Sequence, residues 1–308
     1  MTATGSFRGS TRVLVADGAL DMTACSDSFD DETLSAIWTD VSTGTGALLE
    51  YAGNLELQTG PGDGRSAVRT VETPGNVFVS GQFNLVEYTR ARRDVPTVIG
   101  EVRLVVSDTP TQETDVFIRT EGDSVLRYLA IRSRKAGVVD VDIRMPVGSL
   151  DLERPYRVST RLGVLRVGDR VTLLQNDEAI QDFTWSDAPA AIELAAELSG
   201  SGPAAVLRTQ LREYLRRPVI TFGGRPAVDF ELQNETRAVV FTPAASCTTE
   251  AVDIGITGCN GAANTILSGF TYFKDEDLIK LRRGAAQVLT ICNDPTLRER
   301  LEGPSRGV

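Results

Sequence analysis

The sequence predicts a mainly β protein: two antiparallel sheets packed face to face, then a smaller β unit, then a C-terminal helix. Three observations carry this. Short runs alternate apolar and polar residues, clearest in Val125-Leu-Arg-Tyr-Leu-Ala-Ile131 and Val139-Asp-Val-Asp-Ile-Arg144, so one side of each strand is dry and the other wet. The links between runs carry Gly, Pro, Asp or Asn, the residues of turns. No helical period separates the runs, which is the pattern of stacked sheets rather than of alternating strands and helices.

Composition narrows the function classes. The chain has 308 residues and is 41% apolar, enough to bury a core in each of one to three domains. Its net charge of −10 repels phosphate backbones, so no nucleic-acid partner is expected. The chain contains no histidine. That removes the commonest general base and metal ligand, and every nucleophile that depends on an imidazole. Arginine far outnumbers lysine, which occurs only at Lys135, Lys274 and Lys280. The start of the chain has neither a basic segment nor an apolar one, so a protein made in the cytoplasm without a signal peptide is expected. No apolar run approaches the ~20 residues of a membrane span, so no membrane partner is expected. The four cysteines, Cys25, Cys247, Cys259 and Cys292, form no CxxC. The strand-like Ala251 to Thr257 would hold Cys247 and Cys259 roughly 20 Å apart at about 3.3 Å per residue, well beyond the roughly 7 Å of a disulfide. Buried free thiols are therefore expected unless the preceding loop doubles back.

Residues 1–24 read as an arm with one strand-like piece, Thr11 to Ala16. Arg12, Val13 and Leu14 are candidates for pairing with a sheet edge on a neighbour. From Phe29 the pattern is β. Trp38 opens a strand and is expected in the core. Leu49-Glu-Tyr51 and Leu55-Glu-Leu57 flank Ala-Gly-Asn, a tight hairpin. Strands are then expected at 67–71, 77–88, 99–107, 116–120, 125–132, 138–144, 156–162, 170–175 and 179–184. Residues 188–217 fit two readings. Ala191 to Leu198 alternates as a strand but also fits a helix, and Leu207, Leu211 and Leu215 share a helical stripe. Strands are preferred because the sandwich needs two closing ones. Arg208, Arg212 and Arg216 would then share one face. Further runs begin at Val219, Arg237, Val252 and Gly269. Asp275 to Ile291 carries Leu278, Leu281, Ala285, Val288 and Leu289 on one stripe, an amphipathic helix with acids at its start.

The layout Asp27-Ser-Phe29, Leu34, Trp38 and Gly53-Asn-Leu-Glu-Leu57 resembles the opening of a concanavalin A-like lectin/glucanase sandwich. Val158-Ser-Thr-Arg-Leu162, Arg170-Val-Thr-Leu-Leu174 and Ile180-Gln-Asp-Phe183 resemble that family's later hairpins. The likeness implies an antiparallel jelly-roll β-sandwich over 25–217. The run from Val219-Ile-Thr-Phe-Gly-Gly to Gly269-Phe-Thr-Tyr-Phe273 is similar to the latter part of an IPT/TIG immunoglobulin-like domain. That likeness implies a small β-sandwich over 218–273, followed by the helix and tail at 274–308. Together the likenesses are similar to virion proteins of tailed bacteriophages, which implies a non-enzymatic structural or adhesive protein of a capsid, tail, baseplate or fibre. Its partners would be other copies or other virion proteins, and a cell-surface glycan is a further candidate. The alternative is a carbohydrate-binding module or a glycan-processing enzyme of the concanavalin-like class.

Little chemistry is visible. A glucanase strand of the form E-x-D-x-x-E would set two carboxylates on one face, and no such run occurs. Asp140 and Asp142 alternate without a Glu partner and read as a solvated face. No cofactor is expected. Calcium would find its oxygen ligands in Asp27, Asp30 and Asp31, which turn and cap formation explain as well. Tyr88, Arg90, Arg92 and Arg93 form the densest basic loop, able to hold an acidic sugar or a partner's carboxylate.

Overall fold

The computed structural model describes residues 3–6, 11–17, 20, 27, 29, 33–70, 76–89, 97–107, 113–122, 126–149, 158–187, 189–199, 204–234, 237–245, 249–259 and 262–273. No α-helix occurs among them, and the helix expected after Phe273 lies outside the described residues. Numbered along the chain, the first strands are β1 (Ala3–Ser6), β2 (Arg12–Ala16), β3 (Trp38–Asp40), β4 (Thr43–Gly44), β5 (Ala47–Tyr51), β6 (Asn54–Thr59), β7 (Gly64–Thr70), β8 (Val77–Thr89), β9 (Thr97–Ser107), β10 (Thr114–Gly122), β11 (Leu126–Lys135) and β12 (Val138–Ser149). They are followed by β13 (Ser159–Val167), β14 (Arg170–Gln175), β15 (Glu178–Thr184), β16 (Ala191–Leu198), β17 (Val206–Arg217), β18 (Val219–Phe222), β19 (Arg225–Pro226), β20 (Asp229–Asn234), β21 (Arg237–Phe241), β22 (Glu250–Thr257) and β23 (Ala263–Phe273).

Contacts divide the chain into two compact units, Met22–Pro218 with Cys259–Gly261, and Met1–Asp21 with Val219–Gly258 and Ala262–Val308. The larger unit is an antiparallel β-sandwich. One sheet runs β15-β14-β13-β8-β17-β6-β5, and the other runs β12-β11-β10-β9-β16-β7-β3, with β4 also on β7. Alternation decides which side chains meet between them. Phe83 and Leu85 on β8, Leu162 and Val164 on β13, and Leu207 and Leu211 on β17 are buried in one core. From the facing sheet it receives Val102 and Leu104 on β9, Val116 and Ile118 on β10, and Ile192 and Leu194 on β16. Each such side chain contributes roughly 1.5–3 kcal/mol on leaving water. Gly100 leaves room for one of them: a Cβ there would lie 2.3 Å from Cγ of Phe83.

Turn chemistry places the hairpins. Ala52 and Gly53, joining β5 to β6, have φ of 51° and 72°, and Asn176 and Asp177, joining β14 to β15, have 50° and 67°. Two successive positive φ values suit the right-handed twist of the flanking strands. Residues 191–198 and 206–217 are strands, as preferred. β16 is inserted between β9 and β7, and β17 between β8 and β6. Tertiary pairing on both edges outweighs the helical propensity of their Ala, Glu and Leu. Trp38 is buried and meets Tyr214 edge-on at 4.6 Å.

The smaller unit has a five-stranded sheet, β1-β23-β22-β18-β19, and a three-stranded one, β2-β21-β20. All pairs are antiparallel except β1 on β23. Its core holds Val13, Val15, Phe222, Val240, Ile254, Phe270 and Tyr272. The three rings meet edge-on, Phe222 to Phe270 at 5.3 Å and Phe270 to Tyr272 at 4.8 Å. Arg12-Val-Leu does add to a sheet edge, but to β21 of its own chain. Val13 is buried there, Arg12 lies 3.5 Å from Glu231, and Leu14 stays exposed.

The thiol expectation is corrected at Cys259. This cysteine is buried and disulfide-bonded, while Cys25, Cys247 and Cys292 lie outside the described residues. Spacing bears on one pairing among the four cysteines, and so could not establish that Cys259 is a free thiol.

Candidate functional site

Each sheet of the sandwich turns its second set of side chains outward, and the two outward faces differ in chemistry. On the eight-stranded sheet the outward face is rich in charged residues at its centre. β9 presents Glu101 and Arg103, β10 presents Asp115, Phe117, Arg119 and Glu121, and β16 presents Glu193 and Glu197. Antiparallel register sets Glu193 opposite Arg69 on one side and Arg103 on the other, Glu101 opposite Arg119, and Asp115 opposite Arg134. Arg65 binds three acids at once. Its Nη2 reaches Glu101 Oε1 at 2.6 Å and also Glu193, and its Nη1 donates to Glu197 Oε2 at 2.9 Å. Arg69 Nη2 lies 2.7 Å from Glu193, and Arg103 and Arg134 both bind Asp115. Arg119 and Arg144 close on Glu121 at 2.6 and 2.9 Å. Phe117 lies beneath the Arg119 guanidinium at 4.7 Å.

These acids are almost wholly withdrawn from water: Glu101, Glu193 and Asp115 are 2%, 1% and 0% exposed. Burial alone would raise the Glu101 carboxyl. Arg65, Arg119 and Arg103 overcome that and hold it down at about 2. The Arg65 guanidinium is pushed above its usual range by Glu101 and Glu193 against its own burial. A cleft of about 270 Å³ remains, lined by Arg65, Glu101, Arg103, Phe117, Arg119 and Arg134 among others. Glu101 and Glu193 share one arginine nitrogen, so their oxygens lie within roughly 6 Å, two hydrogen-bond lengths. Proximity of that kind suits a glycosidase pair. A general acid, however, must hold its proton near working pH, and Glu101 is ionised throughout that range.

The outward face of the seven-stranded sheet is largely neutral at its centre. Gln82 and Asn84 alternate on β8 with Phe83 and Leu85 of the core. Asn84 is paired across the ladder with Ser159 on β13 and with Gln210 on β17, one rung of three polar side chains. The Asn84 amide, oriented by its neighbours, accepts from Arg212 Nε at 2.9 Å and donates to Ser159 Oγ at 2.5 Å. The Gln82 amide also donates to Ser159 Oγ, while Arg161 Nε donates to Gln82 Oε1 at 3.4 Å. Ser159 thus accepts from two amides and keeps its own proton to donate. Gln82, Asn84, Leu85, Val86, Ser159, Gln210 and Arg212 line a groove of about 450 Å³. At one end Glu56 accepts from Gln210 at 3.1 Å and from Arg208 at 2.9 Å. Burial would raise its carboxyl, and Arg208, Gln210 and Gln58 outweigh this and lower it.

The residues singled out in the sequence fall in different places. Tyr88 points inward and its hydroxyl lies 3.1 Å from Thr97 Oγ1, so it offers nothing to a ligand. Arg90, Arg92 and Arg93 lie outside the described residues, as do Asp30 and Asp31. Asp27 is spent on local structure: one carboxylate oxygen accepts from the Phe29 amide at 3.0 Å, the other from Trp38 Nε1 at 2.9 Å. Arg208 and Arg212 reach the outward face of β17, but Arg216 does not share it. Leu211 pairs with Phe83 and Glu213 with Gln82, so Arg212 is the extra residue of a β-bulge. The bulge inverts the alternation beyond it, and Arg216 is buried beside Tyr214. The amides Gln82, Asn84 and Gln210 went unnoticed in the sequence. Their only local signal is that they occupy the wet positions of strongly alternating strands.

No family model matches the chain, and no curated protein matches it. Among solved structures it is similar to a Bacillus licheniformis β-glucanase, with 13% identity and TM-score 0.47 over 62% of this chain and 95% of that one. It is also similar to a legume lectin-like domain from Entamoeba histolytica, at 9% and 0.43 over 58% and 88%. A third likeness is to a carbohydrate-binding module from Bacillus subtilis, at 13% and 0.39 over 61% and 97%. Likenesses at this level say nothing of activity or ligand. The class is defined by the chain's own strand pairing, an antiparallel two-sheet β-sandwich.

Proposed function

We propose that the protein is a non-catalytic carbohydrate-binding protein whose glycan seats in the amide groove of the seven-stranded sheet. The observation that supports this is the lining: Gln82, Asn84, Ser159 and Gln210 surround about 450 Å³ beside apolar Leu85 and Val86. That volume is within the roughly 300–1,000 Å³ of small-ligand pockets. An amide both donates and accepts, as does each hydroxyl of a sugar, so the two surfaces can satisfy one another. Neutral groups also give up water more cheaply than ions do. The charged cleft of the other sheet is the weaker candidate for hydrolysis. Glu101 is held ionised by its arginines, Glu193 is clamped by Arg65 and Arg69, and neither has the freedom to attack or to protonate a leaving group.

Glycan-array screening followed by calorimetric titration tests the reading. A defined glycan is expected to bind the wild type, and Gln82→Ala with Gln210→Ala is expected to remove that binding at unchanged melting temperature. A folded protein that binds no glycan, or that cleaves the one it binds, would overturn it. The virion setting is a separate proposal about where such a protein works, with the smaller unit as an IPT/TIG-like mount. Its support is the sequence resemblance of residues 219–273. Detection of the protein in purified phage particles would decide it.

A further inference from the structure

We infer that the glycan taken by the amide groove carries a carboxylate, as in a uronic acid residue, and that Arg212 is the group that reads it. The inference rests on the glycan-binding reading of the same groove and names the class of its ligand. The census of cations on that outward face carries it. Arg208 is taken by Glu56 at 2.9 Å and Glu87 at 3.4 Å. Arg161 has Asp177 at 4.0 Å, and Arg170 has Asp182 at 2.7 Å. Arg212 has no acid within ion-pair distance among the described residues, although it is exposed and lines the groove.

Its placement is constrained rather than incidental. Arg212 is the unpaired residue of the β17 bulge, and bulges re-aim side chains. Its Nε is tethered to the Asn84 oxygen at 2.9 Å, which fixes one edge of the guanidinium against the groove and leaves the two terminal nitrogens to a ligand. A planar guanidinium with two parallel N–H groups fits a carboxylate in bidentate fashion. Around it, Asn84, Ser159, Gln82 and Gln210 supply the neutral donors and acceptors that sugar hydroxyls need. Glu56, the carboxylate bonded to the groove's Gln210, is neutralised by Arg208 and by two amides, so it does not repel an incoming anion as a bare acid would.

The test compares galacturonate and glucuronate oligosaccharides, the corresponding neutral oligosaccharides, and sulfated ones of equal length, by calorimetry on the full chain. The uronate ligands are expected to bind the wild type best. Arg212→Gln is expected to weaken them about ten- to a hundredfold, the worth of a charge-assisted hydrogen bond, and to weaken neutral ligands by a clearly smaller factor, through the lost tether to Asn84. Arg212→Lys restores charge but not the planar fork and is expected to recover only part. Equal binding of neutral and uronate ligands, preference for sulfated ones, or unchanged uronate affinity in Arg212→Gln would overturn the carboxylate assignment alone. Loss of no glycan binding in Gln82→Ala with Gln210→Ala would instead remove the groove itself, and with it both proposals.

Discussion

On the eight-stranded sheet Glu101 is held by Arg65 and faces Arg119 across the ladder; on the seven-stranded sheet Asn84 is held between Ser159 and Arg212. Both positions alternate with core residues on central strands, and both are turned away from the core. What separates them is the cost of interruption. A carboxylate drawn out of a buried arginine cluster leaves uncompensated charge, so such a face resists any ligand that does not replace every partner. An amide exchanged from a neighbour to a sugar hydroxyl loses and gains bonds of about equal worth. The charged face therefore acts mainly as structure, and the neutral face keeps hydrogen-bonding capacity to spare.

Four measurements would break or sharpen that contrast. Arg65→Ala should be the most damaging, because it strips a cation from three acids, two of them buried. A loss of about 3–5 kcal/mol is expected in chemical denaturation, and a loss below about 1 kcal/mol would mean that the charged face is not structural. Acid should act on the same cluster. The Glu101 carboxyl lies at about 2 when folded, against an ordinary 4.5. Its stabilising contribution is thus present above about pH 4.5 and lost as pH falls towards 2. The amount is about 3 kcal/mol, and Glu101→Gln should flatten that part of the stability profile. Arg132→Ala removes a bidentate but half-exposed partner of Asp142, with Nε donating to Oδ1 at 3.2 Å and Nη2 to Oδ2 at 3.1 Å, and should cost less than about 1 kcal/mol. Gln82→Ala with Gln210→Ala should change stability by about 0.5 kcal/mol or less. A larger loss would show that the amides are part of the scaffold and not a site.

The sandwich was readable because its signals are local. Alternation located β8 to β15, the Ala52–Gly53 turn placed the first hairpin, and Trp38 reads as core without knowledge of its neighbours. The site was not readable because it is made of registers. Nothing in Gln82-Phe-Asn84 states that Ser159 will lie opposite Asn84 on one side and Gln210 on the other, since strands distant in sequence supply that rung. The same holds for the arginine cluster, in which Arg65 meets Glu193, 128 positions further along the sequence. Arg216 was misplaced for a smaller reason of the same kind. Spacing by four keeps residues on one face only while the strand is regular, and the bulge at Arg212 breaks that count.

That bulge also bears on how such a chain can vary. Leu211 and Tyr214 on either side of it both keep to the buried face, so the strand would run regularly if one residue were removed between them. The groove's unpaired cation therefore sits on a position that a single-codon deletion can erase with the core residues left in frame. Related chains could gain or lose a taste for charged ligands by an indel, with no change at any packed position, and an alignment gap there would carry more meaning than a substitution.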